Sequence, residues 1–423
     1  MGKAKKGSLI IVGAGAAGLI AASELAGKFQ VTVLEASDTT GGRIRTIDGM
    51  EAGAEFVHGE LPLTMELAKK AGATLEKTGG HFYQVSDCDW RRQDDIIEGW
   101  DLLLQKMEAL KDDITLDAFL ETNFAGGEYE ELRRRTRAYA SGFDVADPVK
   151  ASVKALYREW SQGMDEMYRI KEGYAAITDH LQQQCEAAGC RILTNKKVKQ
   201  ADWEQDRVKV YTDDGETFEA QKLILTLPAG IMQRKLASHS INITPPLDSY
   251  DTAWEQIGYG SVLKILLKFK EAFWAEQQEE VGFVISDQPI PTWWTQLPYD
   301  EPLLTGWIGG PYALQWDNKT DEEILEHAVT SLSRIFRRTV TDITALLESH
   351  QILRWHTIET ALGAYSYETP LSAEARALLM TPVAGTLYFA GEALYNGPHP
   401  GTVEAALYSG KEVAERIIGD LAD

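Results

Sequence analysis

Residues 8–35 have the sequence SLIIVGAGAAGLIAASELAGKFQVTVLE, which contains the strongest pattern in the chain. The apolar run Leu9 to Val12 predicts a buried parallel strand. Three glycines with G-x-G-x-x-G spacing follow it, then come helix-forming and small residues, and a second apolar run ends at Glu35. This order predicts a strand–turn–helix–strand unit of the Rossmann type, which binds the phosphates of a dinucleotide. The alternative is a glycine-rich turn in another kind of α/β protein.

Each glycine of the motif has its own physical task. Gly13 permits the tight turn after the strand, Gly15 lets a pyrophosphate approach the backbone, and Gly18 lets the helix pack closely on the sheet. The helix N-terminus offers free N–H groups and a partial positive charge to the phosphates, and Glu35 is placed to accept hydrogen bonds from a ribose. The predicted dinucleotide contacts of this stretch are Gly13, Gly15, Ala16, Ala17, Gly18, Glu35 and Ala36.

Length and charge limit the possible functions. A chain of 423 residues is long for one core and predicts two domains, and 44% apolar with 25% charged residues are ordinary values for a soluble globular protein. The formal net charge of −22 argues against nucleic-acid binding, which needs a basic face. It would steer a cationic substrate towards the protein, although solubility alone also explains an acidic chain.

Cysteine use and hydropathy bear on the cellular compartment. Cys88, Cys185 and Cys190 lack C-x-x-C spacing, which indicates a reducing compartment without a disulfide framework. No apolar run reaches the length of about 18 residues that a membrane span needs, so we expect no membrane partner and a cytoplasmic location. No metal site is predicted, and the sequence leaves the oligomeric state open.

A second glycine turn follows the ribose-binding acid. Its sequence is TGGRIRT, residues 40–46, in which Gly42 permits a close backbone approach and Arg43 can pair with a phosphate. The two turns in this order resemble the flavin-containing amine oxidase family, in which a G-G-R follows the acid. The resemblance implies that FAD is the cofactor and that Arg43 holds its pyrophosphate. Alone, G-G-R is a common turn with an exposed charge.

The segment GAEFVHG, residues 53–59, is similar to the part of this family that approaches the flavin. It looks most like the polyamine-oxidase branch, in which a histidine or an acid can occupy the position of His58. A histidine there can position an amine or set its protonation state, because imidazole titrates near neutral pH. Glu55 is predicted to contribute to the wall of the same cavity. The alternative for His58 is a histidine packed on a loop.

The stretch IGYGSVLKILLKFKEAFW, residues 257–274, alternates as a strand does and places Lys264 and Lys268 on one face. A lysine inside such a strand is unfavourable unless it has a task or a path to water. In the amine oxidase family a lysine in similar surroundings holds a water at the flavin N5. The resemblance therefore implies that Lys264 is catalytic, orienting water and assisting the reaction with oxygen. The alternative is a lysine that reaches solvent from a strand edge.

Residues 363–367, GAYSY, resemble the turn that lines the flavin in this family. The family's tyrosine forms one wall of an aromatic cage that suits an amine nitrogen, which implies this role for Tyr365. Ala364 stands where monoamine oxidases carry the cysteine that bonds the flavin, so noncovalent FAD is implied. Thr402 stands where they carry a second cage tyrosine, which weakens a monoamine assignment. The alternative for Tyr365 is core packing.

The remaining implied cofactor contacts come from the middle and the C-terminal part of the chain. The apolar strand Thr386 to Ala390 precedes Glu392, which resembles the family's acid on the ribityl chain. A helix from Thr402 to Ile418 would point its N-terminus, including Val403, at the flavin pyrimidine ring, where its dipole stabilises negative charge on the reduced flavin. Val198, by its position in the family, would meet the adenine through its backbone.

We predict an α/β fold with two interleaved domains. A discontinuous Rossmann-like FAD-binding domain comprises residues 1–80, 186–232 and 372–423. An α+β substrate-binding domain, with a mixed sheet and a helical cap, comprises residues 81–185 and 233–371. Helical spacing predicts helices over Leu63 to Ala71, Ile97 to Leu110 and Tyr129 to Ala138.

The resemblance also implies a reaction. A neutral amine loses the equivalent of a hydride from its α-carbon to the flavin, water hydrolyses the imine to an aldehyde and an amine, and oxygen is reduced to hydrogen peroxide. His58, Thr402 and the acidic charge favour polyamines over monoamines as the small-molecule substrate.

Two rival functions stay open. One is another oxidase or dehydrogenase of the same fold, acting on an amino acid or a porphyrin precursor. An amino-acid oxidase needs an arginine for the carboxylate, and Arg133 to Arg137 and Arg158 offer several candidates. The other is a flavin-bearing binding protein without turnover. Lys264 and Tyr365 argue against it, because binding FAD requires neither.

Overall fold

The computed structural model describes residues 7–87, 89–92, 97–163, 166–233, 240–278 and 280–420. Cys88, one of the cysteines considered above, lies outside the described residues. The chain forms two compact units that are each built from separate segments. The first unit comprises Met1–Leu75, Arg169–Tyr259 and Thr357–Asp423, and the second comprises Glu76–Tyr168 and Gly260–His356.

The first unit contains the Rossmann-type sheet that the glycine motif predicts. Ile11 in its central strand pairs with Val33 on one side and with Ile224 on the other, and it is fully buried. Neighbours on both edges and helices on the faces explain why the run is continuously apolar. Five parallel strands lie in the order Arg191–Leu193, Gln30–Leu34, Ser8–Val12, Lys222–Leu225, Leu387–Phe389.

The helix Ala16–Leu25 follows the central strand, and most of its residues are buried. It packs against the C-terminal helix Val403–Gly419, in which Gly410 lies so close to the Ala17 carbonyl oxygen that a Cβ would clash. The cofactor motif and the C-terminal helix are therefore held together by close backbone packing. The other helices of this unit are Pro62–Lys70, Ala175–Ala187, Ala229–Gln233, Asp248–Glu255 and Ser372–Leu379, with a 3-10 turn at Glu392–Leu394.

The first unit also carries a second sheet of four strands. Its hairpin turn at Asp213 to Gly215 contains Gly215 with a φ of +86°, a conformation that favours glycine. Two two-residue ladders pair Thr46–Ile47 with Met50–Glu51 and Gly258–Tyr259 with Ser366–Tyr367. The four strands lie in the order Thr217–Ala220, Arg207–Thr212, Val198–Glu204, Asn242–Thr244, and the short strand Val57–His58 also belongs to this unit.

The second unit is built on the predicted mixed sheet, which has seven strands. Only Val281–Ser286 and His81–Ser86 pair in parallel, and the other pairs of this sheet are antiparallel. The order is Leu347–Arg354, Val262–Phe269, Leu303–Gly309, Thr292–Trp294, Val281–Ser286, His81–Ser86, Asp89–Arg92. Its helices are Trp100–Glu108, Leu116–Asn123, Glu130–Gly142, Val153–Trp160, Asp321–Ile335 and Val340–Leu346, with 3-10 turns at Gly127–Tyr129, Phe273–Glu276 and Gly310–Trp316. Within the described ranges, no helix is both long and apolar enough to cross a bilayer.

The strand Val262–Phe269 is more buried than its alternating sequence suggests. Every residue of the strand is buried except Lys268. Aromatic and aliphatic core residues cover one face, and Lys264 is buried on the other. The alternation thus predicts the strand correctly, but only one of its two lysines faces solvent.

The boundaries of the two units differ from the predicted domain boundaries. Residues 169–185, 233–259 and 357–371 belong to the first unit and residues 76–80 to the second, whereas the sequence pattern assigned each of these ranges to the other domain. The helix Ala175–Ala187 packs on the Rossmann helix, and the Cys185 thiol donates to the Leu19 carbonyl oxygen at 3.3 Å. The strands Leu75–Lys77 and Met167–Ile170 each contain a point where the chain passes from one unit to the other. Packing against a distant segment decides these boundaries, and local sequence does not record it.

The loop after the helix Glu130–Gly142 contains a buried carboxyl group that we expect to weaken the fold at high pH. Burial, and then the charge of Glu159, raise the pKa of Asp144 well above its usual value. The unfolded chain releases this proton at a lower pH than the folded protein does, so folding stability falls as the pH rises above the unfolded pKa. Asp144→Asn should therefore raise the free energy of unfolding at pH 8 by about 1–3 kcal/mol.

The gain from Asp144→Asn should shrink to about 0.5 kcal/mol near pH 4, where the wild-type carboxyl group is protonated in the folded protein and about half protonated in the unfolded chain. An asparagine oxygen can still accept the Trp160 indole hydrogen bond, which measures 3.1 Å to Asp144 Oδ2. Urea unfolding at both pH values measures the effect. Asp147→Asn is the matched control, because Asp147 lies in the same loop but pairs with Lys150. An equal gain at pH 4 and pH 8 would contradict the assignment.

Candidate active site

The first glycine turn is shaped for a close approach by a ligand. Gly13 adopts a φ of +106°, which favours glycine, and Gly18 lies so close to the Gly13 carbonyl oxygen that a Cβ would clash. Gly15 differs from both, because the nearest atom to a Cβ there would be the Gly41 carbonyl oxygen at 3.9 Å. Gly13 and Gly18 therefore serve the fold, whereas Gly15 borders open space.

Glu35 lies at the end of the second strand, as predicted, and is buried. Its Oε2 accepts from Ala14 N at 2.7 Å and its Oε1 accepts from Ser37 N at 2.8 Å. These bonds fix the carboxylate beside the glycine turn and leave further lone pairs for a ligand hydroxyl. The backbone of Lys196 donates to the Glu35 carbonyl oxygen at 2.7 Å, which brings the strand start at Val198 towards the same end of the sheet.

The second glycine turn packs directly on the first. Gly41 N donates to the Ala14 carbonyl oxygen at 2.9 Å, and Gly15 and Gly41 form an isolated β-bridge. Gly42 adopts a φ of +62°, and a Cβ on it would stand 3.4 Å from the Gly15 Cα. The two motifs that lie apart in sequence thus form one glycine-lined surface.

Arg43 extends from this surface to two groups of the C-terminal part of the chain. Its Nη1 donates to the Ala364 carbonyl oxygen at 2.6 Å and to Glu392 Oε2 at 2.9 Å. Glu392 is buried, and its Oε1 accepts hydrogen bonds from the backbone and the hydroxyl of Ser366. The predicted contacts to pyrophosphate and ribityl chain are therefore brought together, and Ala364 joins them through its backbone.

These residues fit a bound dinucleotide with a flavin. Gly15 leaves room for a pyrophosphate, the N-terminus of Ala16–Leu25 presents free N–H groups to it, and Arg43 supplies a cation. Glu35 supplies a carboxylate for ribose hydroxyls. Gly13 and Gly18 shape the turn that carries Gly15, Gly42 packs against Gly15, and Ala16 and Ala17 begin the helix.

His58 ends the short strand Val57–His58 and Glu55 lies just before it, but Glu55 is already paired. Its Oε1 accepts from Arg169 Nη1 at 2.7 Å, and both side chains are buried. The Arg169 guanidinium lies 4.4 Å from the centre of the Phe56 ring, and this ring stands 6.0 Å from His58, edge to face. Arg169, which the sequence did not single out, thus neutralises Glu55, and His58 is half-buried beside an aromatic ring.

Tyr365 and Thr402 come together at the start of the C-terminal helix. A Cβ on Gly401 would stand only 3.1 Å from Tyr365 Cδ2, so the tyrosine ring packs on this glycine. Thr402 is the N-cap of the helix Val403–Gly419; its hydroxyl accepts from Ala405 N at 3.2 Å and donates to the His399 carbonyl oxygen at 2.7 Å. The helix therefore begins one residue after the predicted Thr402, with Val403 in its first turn.

Glu404 is a buried charged residue that sequence reasoning missed. Its oxygens accept from Leu63 N at 3.0 Å, from Thr64 N at 2.7 Å and from Thr64 Oγ1 at 2.7 Å. It thereby caps the helix Pro62–Lys70, whose own N-cap Leu61 has no side-chain oxygen. Because this helix begins four residues after His58, Glu404 connects the His58 segment to the Thr402 cap. The sequence did offer a signal for Glu404, because it is an acidic residue two positions after the helix N-cap Thr402.

Lys264 lies in the second unit, in the middle of its mixed sheet. The residue is 1% exposed, pairs across strands with Trp307 and Leu353, and places its Nζ 5.8 Å from the centre of the Trp294 ring. The alternative of a lysine that reaches solvent from a strand edge does not hold, because strands flank it on both sides. A buried ammonium beside an aromatic face remains a candidate for catalysis.

Comparison with known proteins identifies the family. The model of the flavin containing amine oxidoreductase family matches residues 16–418. Lysine-specific histone demethylase 2 of Homo sapiens is 26% identical over 97% of this chain and 53% of its own length. Polyamine oxidase 2 of Arabidopsis thaliana is 27% identical over 98% of this chain and 88% of its own length. The chain therefore spans about half the length of the human demethylase and most of the polyamine oxidase.

Solved structures agree in fold. A putrescine oxidase with bound putrescine matches with a TM-score of 0.82 and 20% identity, over 98% of this chain and 99% of the other. Cyclohexylamine oxidase from Brevibacterium oxydans IH-35A matches with a TM-score of 0.79 and 19% identity, over 99% and 100% of the two chains. The family match begins at Ala16. It therefore includes Gly18 of the first glycine turn, the whole second glycine turn, the buried Lys264 and the C-terminal helix as far as Ile418. The protein is therefore a member of the flavin-containing amine oxidoreductase family.

Proposed function

We propose that this enzyme is a polyamine oxidase, which converts a polyamine to an imine that water hydrolyses to an aldehyde and a smaller amine. Oxygen takes up the electrons and leaves as hydrogen peroxide. The observation that carries the proposal is the contact of Tyr365 with Gly401, next to Thr402. One aromatic wall and one hydroxyl-bearing wall suit an aliphatic chain with several nitrogens better than two aromatic walls do.

Charge supports the same substrate class. The chain carries a net charge of −22, which attracts polycations to the protein at low ionic strength. The Glu55 carboxylate is neutralised by Arg169, so within the proposal it shapes the cavity wall and does not serve as the counter-ion of the amine. His58, half-buried beside Phe56, is then the residue that orients the amine and accepts its proton.

The chain's own groups perform the positioning steps of the proposed reaction. FAD, when bound, supplies the hydride-accepting and oxygen-reacting chemistry. Tyr365 places its ring against the uncharged amine, Thr402 limits the opposite side at the helix start, and His58 favours the deprotonated nitrogen that can lose a hydride. Lys264 orients a water for the oxygen reaction.

The amino-acid oxidase alternative loses its arginine candidates in the helix Glu130–Gly142. Arg133 donates to the carbonyl oxygens of Phe124 and Gly126, and Arg134 and Arg135 donate to Glu131. Arg137 pairs with Asp117 and Glu121. Each of these guanidinium groups is already bonded within the protein, which makes it a weaker candidate for binding a substrate carboxylate, and we therefore favour amines without a carboxylate.

Anaerobic bleaching of the flavin in the purified holoenzyme tests the proposal. The panel contains spermine, spermidine, putrescine, acetylated polyamines, simple alkyl and aryl monoamines, L-amino acids and a methylated histone-tail peptide. We expect rapid bleaching by di- or polyamines, and a rate at least about tenfold lower with monoamines of similar length, equivalent to about 1.4 kcal/mol of barrier. Faster bleaching by monoamines, amino acids or the peptide would overturn the polyamine assignment and leave the family unchanged.

A further inference from the structure

The Arg43–Glu392 pair is mounted on the two-residue ladder formed by Gly258–Tyr259 and Ser366–Tyr367. In this ladder Tyr259 pairs directly with Ser366. Ser366 donates to Glu392 through its backbone N–H, at 2.9 Å, and through its hydroxyl. The Arg43 guanidinium lies 5.9 Å from the centre of the Tyr259 ring. One cross-strand pair therefore contacts both members of the ion pair.

Tyr259 is itself fixed in place from several sides. Its hydroxyl donates to the Ala361 carbonyl oxygen at 3.3 Å. Gly230 makes room for the ring, because a Cβ there would stand 2.7 Å from Tyr259 Cε1 and 2.6 Å from the Leu362 carbonyl oxygen. Burial raises the pKa of Tyr259 to about 12, so the side chain is a neutral phenol at physiological pH. A rigid, uncharged ring therefore faces the guanidinium.

The held guanidinium keeps donors for a ligand. Its Nη1 makes both hydrogen bonds to the protein, to Ala364 and to Glu392. Within the described part of the chain, its Nε and Nη2 make no hydrogen bond, and the side chain is 26% exposed. An arginine that is already fixed loses little side-chain entropy when it binds a phosphate, and its planar fork suits two phosphate oxygens.

We infer that Tyr259 and Ser366 are positioning residues for FAD, which hold Arg43 and Glu392 in the arrangement that receives the cofactor. Tyr259 restricts the guanidinium through its ring face, and Ser366 restricts the carboxylate that pairs with it. Neither residue needs to touch the cofactor. The inference concerns cofactor affinity alone and does not depend on which amine the enzyme oxidises.

The test is the FAD dissociation constant, measured by the rise of flavin fluorescence when the holoenzyme is diluted. We expect Tyr259→Leu and Ser366→Ala to raise this constant about tenfold each. Tyr259→Phe, which keeps the ring, should change it by less than about threefold. In an Arg43→Met background, Tyr259→Leu should cause no further weakening.

Two controls separate positioning from a loss of fold. Tyr211→Leu removes another half-buried tyrosine of the first unit, one that faces Lys209 at 5.4 Å, and should leave the FAD dissociation constant unchanged. Thermal unfolding of each variant detects damage to the fold. An unchanged constant in Tyr259→Leu and Ser366→Ala would overturn the inference, as would equal weakening by Tyr259→Leu in the Arg43→Met background. A wild-type protein that binds FAD but oxidises no polyamine would instead refute only the proposed function.

Discussion

Lys264→Met should slow the reaction of the reduced enzyme with oxygen by about 100-fold, because the role proposed for Lys264 supplies a positive charge and a hydrogen-bond donor where charge develops in that reaction. The rate at which an amine reduces the flavin without oxygen should change less than about threefold, because hydride loss does not use this ammonium. Lys264 is 1% exposed and lies beside Trp294, and methionine fills a similar volume there. Stopped-flow absorbance measures the two half-reactions separately.

The oxygen half-reaction can be tested before the substrate is known. Photoreduction of the flavin prepares the reduced enzyme without any amine, and mixing with oxygen then gives the reoxidation rate. Lys268→Met is the matched control, because Lys268 lies on the same strand but is exposed and close to Glu348. An unchanged reoxidation rate in Lys264→Met, with normal flavin content, would refute a catalytic role for this residue.

Gly15→Val should abolish FAD binding while the protein still folds. Gly15 has a φ of −78°, which a valine adopts without strain, and its Cβ would enter the open space beside the Gly41 carbonyl oxygen. Because a pyrophosphate bound at the predicted position would meet this side chain, we expect the FAD dissociation constant to rise by at least about 100-fold, equivalent to about 2.7 kcal/mol. Flavin content is measured by the ratio of the absorbance at 450 nm to that at 280 nm, which should be ~0 for the purified variant. Circular dichroism measures the fold.

Gly18→Val provides the contrast within the same motif. A Cβ at Gly18 would clash with the Gly13 carbonyl oxygen, so this variant should fail to pack its helix on the sheet and should unfold or aggregate. Gly15 is thus expected to leave room for the cofactor, whereas Gly18 lets the helix pack closely on the sheet. If Gly15→Val retained its flavin, or if it lost its fold as Gly18→Val does, the assignment of Gly15 to the cofactor path would be wrong.

Local sequence patterns determined the Rossmann-type unit, the mixed sheet and the amine oxidase family. Each of these depends on neighbours in the chain: the glycine spacing with its flanking strand and helix, the alternation around Lys264, and the turn before Tyr365. The structure confirms the strand Ser8–Val12, the helix Ala16–Leu25 and the C-terminal helix within one to three residues of the predicted starts. Short-range geometry controls these elements, so a single sequence records them.

Only the tertiary structure decided which side chains share a charge or a hydrogen bond across long stretches of chain. Glu55 is neutralised by Arg169, Glu404 caps a helix that begins at Pro62, and Tyr259 faces Arg43. The unit boundaries depend in the same way on packing between distant segments. For Glu55 and Glu404 the physical reason is that burial of a charge requires a partner, and the fold brings that partner within about 3 Å from a distant segment. Sequence spacing therefore identifies the cofactor cradle, whereas the residues that hold its ions in place become visible only in the folded protein.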